Sequence, residues 1–175
     1  MSVNANELSR PVPLSALGLE PLEQEVAATE SECAALAGRF DLPAIGKLHG
    51  RVRLSRQPGR VIRVSGVLTA KVRRICVVTL EPFDQVVEDD FTLYLTDAPG
   101  IGTGAELDIL LEDEEMPEPV DGDAVDCGEI VAEQLALALD PFPRSPEAEA
   151  AGPVAQTDPE PEADNPFKAL RGKIR

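Results

Sequence analysis

The chain has 175 residues, an apolar fraction of 43% and a formal net charge of −16 at pH 7. That apolar fraction excludes global disorder, and the length suits one folded domain with additional unfolded segments. No apolar run approaches the ~18 residues of a membrane-spanning helix, and the N-terminus lacks a basic region followed by an apolar stretch. We therefore expect a cytoplasmic protein with no membrane partner.

The first part of the chain is predicted to contain an extended segment and one helix. Three prolines between residues 11 and 21 favour an extended N-terminal segment over residues 1–18, and an edge strand is expected at 22–27. Thr29 and Glu32 have the spacing of a capping box, which predicts a helix over residues 30–39 that ends before Pro43. We place a single domain at residues 19–143.

Residues 42–80 contain no Asp or Glu and hold most of the basic residues. Within this block, apolar residues at even positions alternate with basic and polar residues at odd positions, which predicts strands near 46–56 and 61–74. The tight turn Gln57-Pro58-Gly59 joins them into an antiparallel hairpin, and a third strand is expected near 84–96. The sequence thus predicts an α+β fold with an antiparallel sheet, either open or curled like a barrel.

The second half is predicted to be acidic and mostly unpacked around one helix. Residues 106–133 contain no Lys or Arg, and Asp126 with Glu129 predicts the start of a helix over 127–139 that packs on the sheet. The acidic, Pro-rich residues 144–164 are expected to form a disordered linker. Residues 165–175, "NPFKALRGKIR", resemble a docking peptide, and its candidate contact residues are Phe167, Leu170 and Arg171.

Three stretches carry a resemblance to a known family: "RRICVVTLEPF", "VDCGEIVAEQLALALDPFPR" and the terminal "NPFKALRGKIR". In this order and spacing they resemble the YceD-like family of large ribosomal RNA subunit accumulation proteins, in the form found in alphaproteobacteria. The resemblance implies a non-enzymatic factor in ribosome assembly, with large-subunit ribosomal RNA or a pre-ribosomal particle as partner. Many members carry extra cysteine pairs after the second helix that suggest zinc. Here that region has none, so we expect no metal and no cofactor.

The sequence offers no constellation of catalytic residues. Cys76 follows the even-numbered apolar positions and is expected to be a buried thiol, as are Cys33 and Cys127. His49 is the only histidine, and the glycine run at residues 100–104 lacks the flanking strand and helix of a nucleotide site. We therefore expect no enzymatic activity and no small-molecule substrate.

The basic sheet face is the candidate site, because arginine and lysine side chains on neighbouring strands can bind RNA phosphates. The candidate residues are Arg51, Arg53, Arg63, Lys71, Arg73 and Arg74. We expect no aromatic side chain on this face, and hence backbone recognition with little base specificity. Two alternatives remain open at this stage. An acidic segment could cover the face, or the protein could be an adaptor that binds a basic ribosomal protein through residues 112–115.

Overall fold

A computed structural model of the protein describes residues 6–98 and 117–151. Its main feature is a five-stranded sheet of β2 (Leu22–Ala27), β3 (Ala44–Gln57), β4 (Val61–Ile75), β5 (Pro82–Thr96) and β6 (Glu118–Pro119), in that order. Neighbouring strands are antiparallel except β5 and β6, which form a short parallel pair. Among the described residues β2 and β6 do not pair with each other, so the sheet is open.

The alternation predicted for the hairpin is confirmed. Every even-numbered residue of β4 is buried except Gly66, and the odd-numbered residues from Arg63 onward are exposed or half-buried. The turn between β3 and β4 is a short 3-10 segment, Pro58–Arg60, in which Gly59 has a φ of 77°. This left-handed conformation favours glycine, which explains its position in the turn.

The helices cover one face of the sheet, which we call the inner face. Helix α1 (Glu30–Arg39) packs against β3, and α2 (Cys127–Ala138) contacts β2, β4 and β5. A Cβ atom at Gly50 of β3 would lie 2.9 Å from a methyl carbon of Val131, so the glycine permits α2 to approach the sheet. No helix in the described part of the chain is long and apolar enough to cross a membrane.

Both predicted helix starts are confirmed by their hydrogen bonds. At α1 the Thr29 hydroxyl accepts from the Glu32 backbone N–H, and the Glu32 carboxylate accepts from the Thr29 backbone N–H at 2.7 Å. At α2 the Asp126 carboxylate accepts from the backbone N–H groups of Gly128 and Glu129. These caps satisfy donors that have no partner within the helix.

The described part of the N-terminal segment, from residue 6 onward, contributes to the core. Strand β1 (Pro11–Pro13) pairs with β7 (Ala124–Asp126) in a second, two-stranded sheet, and Leu8, Val12 and Leu17 are buried among the core residues. The core therefore begins earlier in the chain than the predicted boundary at residue 19. Three prolines predict the extended backbone of this segment but do not reveal its partner strand, which lies more than 100 residues away.

The predicted disordered linker begins with ordered structure. Helix α3 (Pro146–Ala150) is capped by Ser145, whose hydroxyl accepts from the Ala148 backbone N–H, and both residues are buried. The prediction of disorder is therefore wrong for residues 145–150. The prediction failed because this stretch has low hydrophobicity, whereas its order comes from the Ser145 cap and the burial of the single side chain of Ala148. Residues 152–164, the remainder of the predicted linker, lie outside the described residues.

Arg10 and Glu32 connect the N-terminal segment to α1. The Arg10 guanidinium donates to both Glu32 carboxylate oxygens, at 2.8 and 3.1 Å, and the Arg10 backbone N–H donates to Asp126. The Arg10 hydrogen bonds, together with those from Thr29, lower the pKa of Glu32 to about 2. The ionised form is thus favoured in the folded state, so its stabilisation is present above pH 4.5 and is lost as the pH falls toward 2.

Replacing Glu32 with Ala should lower the free energy of unfolding at pH 7 by about 1 to 2 kcal/mol, because a cap and an ion pair are lost together. Glu30→Ala removes a carboxylate from the same helical turn and should have a much smaller effect. Urea denaturation at several pH values measures the difference. The deficit of Glu32→Ala should shrink between pH 4.5 and 2, and an equal deficit in both variants, or one independent of pH, would contradict this account.

Candidate nucleic-acid interface

The outer face of the sheet, opposite the helices, carries five of the six predicted basic residues. They are exposed side chains of β3 and β4, and we call them the basic stripe: Arg51, Arg53, Arg63, Lys71 and Arg73. The sheet register brings the two strands together, with Arg53 opposite Ser65 and Arg63 opposite Ser55. The antiparallel pairing thus collects side chains from positions up to 22 residues apart onto one surface.

Arg74, the sixth predicted residue, does not lie on this face. Arg74 is buried, with only 7% of its surface exposed. Its Nη2 donates to the backbone oxygen of Asp140, which follows α2 in the chain. Burial lowers the pKa of Arg74. Its Nε and Nη1 groups have no hydrogen-bond partner within the described residues. The prediction that Arg74 belongs to the surface charge is therefore wrong, because the alternation of β4 continues through residue 74.

Carboxylates flank the basic stripe on both sides. In the register of β2 against β3, Glu25 lies opposite Arg51 and Glu23 lies opposite Arg53. On the other side, β5 places Asp90, Glu88 and Asp84 opposite Val67, Thr69 and Arg73. These acidic residues lie outside the basic block in sequence, on both sides of it, and the strand order brings them beside the basic stripe. The outer face is therefore a basic centre between two acidic borders.

Ion pairing divides the stripe into bound and free cations. Arg73 donates from Nε and Nη2 to the two oxygens of Asp84, at 2.7 and 3.0 Å, which lowers the pKa of Asp84. Arg51 lies 3.7 Å from Glu25, too far for a hydrogen bond, so this exposed pair is weaker than the Arg73–Asp84 pair with its two hydrogen bonds. Within residues 6–98 and 117–151, Arg53, Arg63 and Lys71 form no salt bridge. These three cations are available to bind phosphate.

Two residues of this face were not included in the sequence prediction. Lys47 is exposed and lies directly opposite Lys71. Its odd position in the basic block predicts that it faces the same side as Arg51 and Arg53. Tyr94 is half-buried on β5, opposite Arg63. The expectation that this face has no aromatic side chain is therefore wrong. The alternation of β5 predicted that Tyr94 and Phe91 face opposite sides, but not which strand Tyr94 would lie beside.

The three cysteines are buried free thiols, as predicted. The Cys76 Sγ accepts hydrogen bonds from the backbone N–H groups of Thr79 and Ser145, and those with Thr79 contribute most to lowering its pKa to about 6. Cys76 has no exposed surface and follows the inner-face positions of β4, whereas His49 lies on the outer face opposite Thr69. The sheet therefore separates the thiol from the only histidine, and the two do not form a catalytic pair.

The remaining candidates lie outside the part of the chain that the structure describes. These are the acidic residues 112–115 and the predicted docking residues Phe167, Leu170 and Arg171. Within the described ranges, no group of three or more His, Cys, Asp or Glu side chains is placed to hold a metal ion.

Comparison with known families matches residues 64–172 to the family described as large ribosomal RNA subunit accumulation protein YceD. No curated protein and no solved structure gave a match. The matched region covers more than half of the chain and includes most of β4 and all of β5 and α2. Its description gives the family a role in the accumulation of the large ribosomal RNA subunit. The chain belongs to the YceD family.

Proposed function

We propose that the protein is a non-enzymatic factor that supports large-subunit ribosomal RNA accumulation by binding the RNA backbone through the outer face of its sheet. The observation that carries this proposal is a group of three exposed cations on adjacent strands, Arg53, Arg63 and Lys71, which form no salt bridge with any residue that the structure describes. Arginine can hold a phosphate with two parallel hydrogen bonds, and lysine contributes a compact positive charge. Such contacts give affinity without reading the sequence.

The acidic borders determine the orientation in which an RNA strand can lie on this surface. Carboxylates on β2 and β5 repel phosphate, so an RNA strand lowers its energy by following the basic centre along β3 and β4. The net charge of −16 opposes non-specific binding to nucleic acid at a distance. The protein would then bind RNA only where the backbone fits the stripe, which suits a factor that acts on a folded precursor.

Tyr94 adds a point at which a base can stack. Sheet-based RNA readers commonly place aromatic side chains beside basic ones, because the ring supports a base while the cation holds the neighbouring phosphate. Tyr94 and Arg63 are cross-strand partners and provide this combination. We therefore include Tyr94 among the RNA-contacting residues of the proposal.

Reversing the charge of Arg53 and Arg63 to Glu should abolish binding to fragments of large-subunit ribosomal RNA. Arg144→Glu is a matched control, because Arg144 is exposed and lies in the segment after α2. Single Arg53→Ala and Arg63→Ala variants should each lower the slope of log K against log salt by about 1, the effect of one lost phosphate contact. Fluorescence anisotropy at several salt concentrations measures both. Unchanged affinity in the double reversal would refute the proposed surface.

The alternative candidate function is that of an adaptor, in which the protein binds a basic ribosomal protein. The acidic borders of the sheet and the net charge of −16 favour this alternative. Neutralising residues 112–115 to Gln or Asn should then weaken recovery of a basic ribosomal protein, whereas the Arg53 and Arg63 reversals should leave it intact. Affinity purification with quantitative mass spectrometry separates the two functions, because each set of variants should affect only one of them.

A further inference from the structure

A hollow of about 510 Å³ lies at the end of the outer sheet face where β3 begins. Its walls come from three strands: Ala44 and Gly46 of β3, Lys71 and Arg73 of β4, and Asp84 and Val86 of β5. Two of these residues, Lys71 and Arg73, belong to the basic stripe. The hollow is therefore continuous with the surface proposed to bind RNA.

A bulge and a glycine keep this hollow open. The register of β3 against β4 shifts between Ile45 and Lys47, and Gly46 is the residue at the shift. A Cβ atom at Gly46 would come no closer than 3.8 Å to a neighbour, the backbone oxygen of Lys71. The φ of Gly46 is not in the left-handed region that favours glycine. The backbone therefore does not require glycine at this position. Because glycine has no side chain, the space above the sheet stays empty here.

The chemistry of the walls favours a flat, uncharged group. The two hydrogen bonds from Arg73 to Asp84 fix the guanidinium plane at one side of the hollow, and Val86, which is 56% exposed, presents apolar surface. Bases stack on such guanidinium planes in protein complexes with single-stranded RNA. The Asp84 carboxylate disfavours a phosphate inside the hollow but can accept hydrogen bonds from an amino group. Lys71, at the rim, has no ion pair in the described part of the chain and can hold the adjoining phosphate.

We propose that this hollow seats one unstacked base of a single-stranded RNA segment. The base carries an exocyclic amino group, as adenine, cytosine and guanine do, and the group donates to Asp84. Arg73 and Val86 contact the base, and Lys71 contacts its phosphate. The inference rests on the proposed RNA-binding function and adds to it a preference that backbone contacts alone do not give.

The test compares oligocytidylate and oligouridylate of about ten nucleotides, a length that suits one binding surface. These pyrimidines differ at the position where cytosine has an amino group and uracil an oxygen. Wild-type protein should bind oligocytidylate about tenfold more tightly, the discrimination expected of a good base-edge contact. Gly46→Leu, which fills the hollow without a clash at Cβ, should remove this difference and weaken oligocytidylate binding. Fluorescence anisotropy with labelled oligonucleotides provides the measurement.

Gly38→Leu is the matched control, because Gly38 lies on α1 with nothing within 4 Å of an added Cβ. This variant should bind both oligonucleotides as wild type does. The Arg53 and Arg63 reversals should weaken both equally. If those reversals abolish binding but Gly46→Leu has no effect, only the base seat is refuted. If wild-type protein binds neither oligonucleotide nor ribosomal RNA fragments, the proposed function and the base seat are both refuted.

Discussion

The antiparallel pairing of β3, β4 and β5 is the constraint on which the rest of the structure depends. The three strands are 14 to 15 residues long, and successive side chains point to opposite faces except at the bulge at Gly46 in β3. A shift of one residue would move the buried valines and leucines of a strand to solvent and the basic stripe to the core side. The burial of the inner face against α1 and α2 therefore fixes the positions of the charges on the outer face.

The same register determines which charges can act. The basic block is uniform in sequence, but in the sheet Arg73 is held by Asp84 and Arg51 approaches Glu25. Within the described part of the chain, pairing across strands thus divides the basic stripe into three cations without a salt bridge and two that have carboxylate partners. This selection depends on residues from four strands, β2 to β5, so the surface forms only when these strands are paired. Folding and the proposed RNA binding are linked in this way.

The sequence predicted the elements whose signals are local. Thr29 and Glu32 placed the start of α1, Asp126 placed the start of α2, and period-two alternation placed the long strands within two residues of their observed bounds. Arg74 shows where two local rules conflict. The charge of Arg74 predicts exposure, whereas its position in the alternation of β4 predicts burial. The side chain is buried, and the Asp140 backbone carbonyl accepts a hydrogen bond from its guanidinium.

The features that the sequence did not reveal depend on contacts between distant residues. The pairing of β1 with β7, the acidic borders of the outer face and the position of Tyr94 opposite Arg63 all follow from the order of strands. The hollow at Gly46 also requires three strands in register. Patterns within a single stretch contain no information on these neighbours, so the face was predicted as basic when it is basic only at its centre.

The most direct test of the central claim is ultraviolet crosslinking of the tagged full-length protein in cells, followed by sequencing of the bound RNA. The outer sheet face predicts a focused peak of reads on large-subunit ribosomal RNA for the wild type. That peak should be lost when Arg53 and Arg63 are reversed and kept when Arg144 is reversed. Recovery of ribosomal proteins without any crosslinked RNA would contradict direct RNA binding and favour the adaptor function.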